Sequence, residues 1–294
     1  MTNEFIDYLQ YERKYSSHTV LAYKEDLLQF EQFVCAQTNM CDFTSIDASL
    51  ARNWIVSLKQ STYSVASINR KISSLKSFYT YCKKKGIQTT NPFLRIHALK
   101  NKKRLPQCIK TTEMEELLSS EDIFTKSAFE NSRDKIIIEL FYHTGMRRAE
   151  LINLKDCDFN LFSLTLRVTG KGNKQRLIPF SNSLKESITK YLDMKRKTFE
   201  NPSDNFIVNN KGGQAYPMLI YRIVQDYIGK VSSISKKSPH IIRHTFASAL
   251  LNNGAEINAV KELLGHANLA ATQVYTHTTF EQLKKIYKQA HPRE

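Results

Sequence analysis

The chain has 294 residues, 41% of them hydrophobic, and a formal net charge of +15. That length suits two domains better than one or three, and that apolar fraction excludes wholesale disorder. No apolar run is long enough to span a bilayer, and the start Met1-Thr-Asn-Glu-Phe-Ile-Asp-Tyr8 lacks the basic and apolar stretches of a signal peptide, so a cytoplasmic protein with no membrane partner is expected.

Residues 1 to about 95 read as all-helical. Ser17 is the expected N-cap of a helix carrying Val20, Tyr23, Leu27, Phe30 and Phe33 at helical spacing. A second helix is expected near 46–59. A third has Val65, Ile68, Ile72, Leu75, Phe78 and Tyr79 on one side and Arg70, Lys71 and Lys76 on the other. It stops at Lys83-Lys-Lys-Gly86, a basic last turn followed by a glycine. The Arg70, Lys71 and Lys76 face is either a solvated surface or a set of phosphate contacts.

Asn91-Pro92 breaks the pattern, and Leu99-Lys-Asn-Lys-Lys-Arg-Leu-Pro106 continues the break without any apolar period. Residues 96–110 therefore read as a basic linker between a domain at 1–95 and a second at 111–294. Lys100, Lys102, Lys103 and Arg104 are candidates to track a DNA backbone. Residues 1–105 hold 16 Lys and Arg against 8 Asp and Glu, so the positive excess is shared by both halves, as a clamp around a polyanion needs. Ordinary solubilising charge is the alternative.

Beyond the linker, Thr112-Glu-Met-Glu115 has the form of a capping box, and a helix is expected over about 126–144. Leu164–Val168 and Gln175–Phe180 alternate as strands around the turn Gly170-Lys-Gly-Asn173, a hairpin with Lys171 near its tip. Helices resume from Leu184. The fold expected is mainly α with a small antiparallel β region. The five cysteines form no CxxC pair and read as reduced thiols, no Cys or His spacing fits a zinc finger, and no cofactor or metal is expected.

Five residues of the second half read as one phosphodiester-cleaving site, Arg147, Lys171, His240, Arg243 and Tyr275, with His266 as the expected sixth. Two arginines hold a phosphate by its non-bridging oxygens, a tyrosine attacks phosphorus, and a lysine and a histidine move protons. Each is ambiguous alone. Arg147 has Glu150 or Asp156 as an ion-pair partner, and 14 tyrosines make composition useless for selecting Tyr275. His240 and Arg243, three apart, share a helix face.

Taken together, Thr144-Gly-Met-Arg-Arg-Ala-Glu-Leu151, Thr169-Gly-Lys-Gly-Asn-Lys-Gln-Arg-Leu-Ile-Pro179, Ser238-Pro-His-Ile-Ile-Arg-His-Thr-Phe-Ala247, Leu263-Leu-Gly-His-Ala267 and Thr272-Gln-Val-Tyr-Thr-His277 resemble the tyrosine recombinase (lambda-integrase) family, Xer branch, in the family's order. Tyr15–Tyr23, Ile68–Tyr79 and His291-Pro-Arg293 extend the resemblance over nearly the whole chain. Met146, His143 and Glu294 depart from the usual pattern without removing a functional group.

The resemblance implies an N-terminal SAM-like core-binding domain and a C-terminal catalytic domain. It implies that Tyr275 forms a 3′-phosphotyrosyl link to double-stranded DNA, with Arg147 and Arg243 stabilising the phosphorane. Lys171 would be the general acid and His240 the base, and His266 would donate to the phosphate. A tetramer on DNA is implied, of one chain or with a second related recombinase, and a DNA translocase or accessory protein is a further implied partner. Its job would be chromosome dimer resolution at cell division, or a related inversion or integration. Leu283, Ile286 and Tyr287 pack either into a neighbouring protomer or on their own domain. A type IB topoisomerase and a DNA-binding regulator are the rival assignments. A metal-dependent nuclease lacks the clustered carboxylates it needs.

Overall fold

The computed structural model describes residues 1–38, 46–87, 90–100, 108–265 and 277–291. It divides into two compact units, Met1–Leu105 and Pro106–Glu294. Most described residues are helical, and a three-stranded antiparallel sheet of order β1-β2-β3 is the sheet found among them. No helix among the described residues is long and apolar enough to cross a membrane.

In the first unit, α1 (Thr2–Asp7) runs into a short π-helical turn, followed by α2 (Ser17–Thr38), α3 (Ala48–Gln60) and α4 (Val65–Lys84). The cap of α2 is Ser16 rather than the expected Ser17: its Oγ accepts from the Thr19 N–H at 3.4 Å and its carbonyl from Val20 at 3.0 Å. Asp47 caps α3 through the Leu50 N–H at 2.8 Å, and Ser64 caps α4 through Ser67. The apolar stripes expected of α2 and α4 meet α3 in an aromatic core, where Phe30 lies edge-on to Trp54 with centroids 4.8 Å apart and Tyr79 stacks on Phe93 at 5.7 Å.

The second unit holds α5 (Thr111–Ser119), α6 (Ala128–Thr144) and α7 (Arg148–Asn153). The sheet strands are β1 (Phe159–Asn160), β2 (Thr165–Thr169) and β3 (Gln175–Pro179). The remaining helices are α8 (Asn182–Thr198), α9 (Pro217–Val231), α10 (Pro239–Asn252), α11 (Ile257–Leu264) and α12 (His277–Ala290). The carboxylate that caps α5 is Glu113, which accepts from the Lys110 N–H at 3.0 Å, two residues before the expected box. Strand β1, two residues long, was too short to leave a period in the sequence. In the hairpin, Val168 pairs with Arg176 and Thr169 with Gln175.

One core lies between α6, the sheet, α8 and α9. A smaller one joins α10, α11 and α12 through Phe246, Leu250, Val260, Leu263, Leu283 and Tyr287. Leu283 and Tyr287 thus pack on their own domain, and the Tyr287 hydroxyl donates to the His143 carbonyl at 3.0 Å. Cys82, Cys108 and Cys157 are free thiols, whereas Cys35 is disulfide-bonded, against the expectation of five reduced thiols.

Candidate active site

Helix α6 stops where the Thr-Gly pair begins. The buried Thr144 Oγ1 accepts from the Met146 N–H at 3.3 Å, and Gly145 turns the chain at φ +57°. A side chain does not fit there, since a Cβ on Gly145 would stand 2.4 Å from Cδ1 of Phe246. The turn delivers Arg147 to the N-cap of α7. Glu150, in the first turn of α7, accepts from the Arg147 N–H at 2.7 Å and from its Nη1 at 2.9 Å. Of the two partners the sequence offered Arg147, Glu150 is the one used; Asp156 instead pairs with Lys195 at 3.0 Å.

Helix α10 opens on Pro239, whose missing N–H costs nothing in a first turn. His240 follows, exposed, and Arg243 lies one turn on, buried. Arg243 donates from Nη1 to the Gly145 carbonyl at 2.6 Å and from Nη2 to the Leu264 carbonyl at 2.7 Å. Arg147 donates from Nη2 to the Gly265 carbonyl at 3.1 Å, and Arg176 of β3 from Nε to the Leu263 carbonyl at 2.8 Å. Three consecutive carbonyls at the end of α11 are therefore capped by three guanidiniums. A helix end has no backbone donors for these carbonyls and carries the negative pole of the macrodipole, so cations belong there.

The charges do not cancel. Arg147 and Arg176 both bond Glu150 while Arg243 bonds only main-chain carbonyls, so among the described residues here three guanidiniums face one carboxylate. Burial, followed by the nearby charge of Arg147, pushes the Arg243 guanidinium down to about 10, so it stays protonated at neutral pH but under strain. Burial alone would raise the Glu150 carboxyl, but bonds from Arg176 and Arg147 outweigh it and hold the pKa below the usual glutamate value. A partly enclosed excess of oriented guanidinium donors is an anion site, and a phosphate bridging them relieves their repulsion.

The Lys171 backbone belongs to the single turn Lys171–Asn173 between β2 and β3, closed by the Gly170 N–H on the Lys174 carbonyl at 2.8 Å. That turn lies against the same group, because a Cβ on Gly170 would stand 3.4 Å from Oε1 of Glu150. The structure thus gathers Arg147, Arg243 and the Lys171 turn around Glu150 and Arg176, with His240 on the first turn of α10. The side chain of Lys171, and His266 and Tyr275 entirely, lie outside the described residues.

Among the expected DNA contacts, Lys71 needs correction. It is buried, with Nζ on Oδ1 of Asp26 at 2.9 Å, because a carboxylate sealed inside the helical unit requires a cation. Arg70 shares Asp26 at 2.6 Å and the Ala22 carbonyl at 3.1 Å while remaining half-exposed. Lys76 is half-buried and Lys100 is exposed. Lys102, Lys103 and Arg104 lie outside the described residues. Arg176 was overlooked as a site residue, although strand parity marks it: it shares the inward phase of β3 with Ile178, between the exposed Gln175 and Leu177.

Two family models match. Residues 107–282 fit the model described as the phage integrase family, and residues 2–86 the phage integrase N-terminal SAM-like domain. "Tyrosine recombinase XerC" of Listeria innocua is 37% identical over 296 residues, covering 100% of this chain and 98% of the relative. The protein of the same name from Staphylococcus aureus is 37% identical over 289 residues, covering 98% of this chain and 95% of the relative. Among solved structures, XerH site-specific recombinase bound to difH substrate, in a pre-cleavage complex, aligns with a TM-score of 0.71 and 24% identity, covering 97% of this chain and 83% of that one.

Proposed function

The chain belongs to the phage integrase family, as a Xer-like tyrosine recombinase, and from that premise we propose that it cuts and rejoins DNA at a specific site through a covalent 3′-phosphotyrosyl link. One observation carries the chemistry. Arg147 and Arg243, 96 positions apart in sequence, are oriented on adjacent carbonyls of one helix end with positive charge in excess. The Tyr275 hydroxyl attacks phosphorus, the bond to the 5′-oxygen breaks, and the two guanidiniums stabilise the charge of the phosphorane. Lys171 donates the proton that the departing 5′-oxygen takes. His240 accepts the tyrosine proton and His266 bonds the phosphate. The energy of the phosphodiester is kept in the link, so religation to another 5′-hydroxyl needs no ATP, and exchange proceeds through a Holliday junction.

Double-stranded DNA at a recombination site is the partner. The basic linker at 96–110 joins the helical unit to the catalytic unit, and Lys100 with Lys102, Lys103 and Arg104 follows the phosphates. Four protomers on two sites, all of this chain or shared with a related recombinase, form the working assembly. It acts on the chromosome, in the cytoplasm, with dimer resolution as its role. The test is covalent capture: incubate the purified chain with genomic DNA in excess chelator, denature, recover protein-linked fragments and sequence their ends. Attachment at one recurrent position through a 3′-phosphate supports the proposal; attachment only with divalent metal, or none, sinks it.

A further inference from the structure

Arg176 touches more of the site than either predicted arginine. Its Nη1 and Nη2 donate to Oε1 and Oε2 of Glu150 at 3.0 and 2.9 Å, and its Nε donates to the Leu263 carbonyl at 2.8 Å. Both partnered side chains are nearly sealed, at 6% exposure for Arg176 and 4% for Glu150. Two glycines lean on it. A Cβ on Gly265, at φ +64°, would stand 3.2 Å from its Cδ and Nη1, and one on Gly170 would stand 3.9 Å from Nη1. One rigid fork therefore bonds the end of α11 and the carboxylate that orients Arg147, and lies on the side of Gly170 where a side chain would project. It sits on β3, in the second residue pair from the turn of the same hairpin.

We propose that Arg176 is a positioning residue that fixes the Lys171 turn relative to Arg147 and the end of α11, so that proton delivery to the leaving oxygen depends on it. This rests on the function proposed above. Each of its three nitrogens already donates to a protein acceptor and the side chain is nearly sealed, so it works through its neighbours and not on the phosphate. A lysine keeps the charge but not the three-way planar geometry, since its ammonium is a point charge on a flexible stem. The proton step is the sensitive one, because transfer needs hydrogen-bond reach and small displacements are costly.

The test uses the full chain and two nicked duplexes centred on the position found by covalent capture. One has the ordinary bridging 5′-oxygen and the other sulfur in its place. In the first, the Tyr275 oxygen bonds to phosphorus and the 5′-oxygen leaves with a proton from the lysine. In the second, the group leaves as a thiolate, which needs no proton because thiols titrate near ~8.5. Wild type must attach to the first duplex; failure there removes the proposed function and not the role of Arg176.

With attachment established, Arg176→Lys is expected to attach to the oxygen duplex ~100-fold more slowly, the usual worth of a positioned acid. Recovery to within ~10-fold of wild type on the sulfur duplex is expected, since no acid is required there. DNA affinity by mobility shift is expected to match wild type. Equal losses on both duplexes, loss of affinity in step with rate, or no loss overturns the proposal. Should Arg176→Lys lack a cooperative thermal transition, Gly170→Val carries the same comparison with the same outcomes. It leaves every buried charge paired and pushes the turn off Glu150.

Discussion

Arg176 and Glu150 meet fork to fork, two parallel bonds of 3.0 and 2.9 Å between groups almost closed to water. Arg147 adds its own bonds to the same carboxylate, whose pKa these arginine bonds hold below the ordinary value against the opposing effect of burial. A carboxyl with a lowered folded pKa contributes stability above its unfolded value, near ~4.3, and loses that contribution as pH falls through the folded value. Glu150→Gln is therefore expected to be less stable than wild type by ~3 kcal/mol at neutral pH. The gap should narrow below about pH 4. Urea melts at both pH values check this; a gap constant with pH would contradict it.

Tyr275→Phe removes the attacking oxygen and leaves the guanidiniums in place. Covalent attachment to DNA should vanish while mobility-shift affinity stays near wild type. A full yield of protein-linked DNA from this variant would assign the nucleophile elsewhere.

Gly145→Ala meets two obstacles together, a left-handed backbone and a Cβ 2.4 Å from the Phe246 ring. A loss of ~3 kcal/mol is expected, from strain and overpacking combined. Gly86 has a similar φ, +72°, with nothing within 4 Å, so Gly86→Ala should cost only ~1 kcal/mol. Thermal melts of the two variants side by side separate the steric part from the backbone part; equal losses would mean that the ring yields freely.

Lys71 and Lys100 should part company. Lys71→Met takes one of the cations from the sealed Asp26 and is expected to lower stability by ~1–2 kcal/mol without changing DNA affinity. Lys100→Ala is expected to leave stability alone, weaken DNA binding and reduce the salt slope by ~1. Mobility shifts over a salt series, with melts of the same preparations, provide the comparison. A reduced salt slope for Lys71→Met would return that residue to the DNA surface.

The helical frame was legible because apolar periods are local. The apolar periods placed the helices, while both N-terminal caps read from sequence were displaced: Ser16 caps α2 in place of Ser17, and the α5 box joins Lys110 and Glu113 in place of Thr112 and Glu115. Lys71 was misread because its partner Asp26 is 45 positions away on α2, and no pattern within α4 reveals a sealed carboxylate facing it. The pairing of Arg147 with Glu150 was visible as a three-residue spacing. Arg176 was not, because the motif that carries it drew attention to Lys171, and strand parity shows only which side a residue faces, not which carboxylate waits there. The capping of α11 by three arginines was invisible for a different reason: the acceptors are main-chain atoms.

Those acceptors have a consequence for how the site tolerates change. Leu263 and Leu264 offer carbonyls that any residue would offer, so their side-chain identities matter to the apolar core and not to the guanidiniums. What has to be kept is the place where the helix ends. Adding or deleting a single residue between Ile257 and Gly265 would rotate the terminal oxygens by roughly 100° about the axis, out of register with all three arginines at once. Helix length, counted in residues, is the quantity the three arginines depend on here.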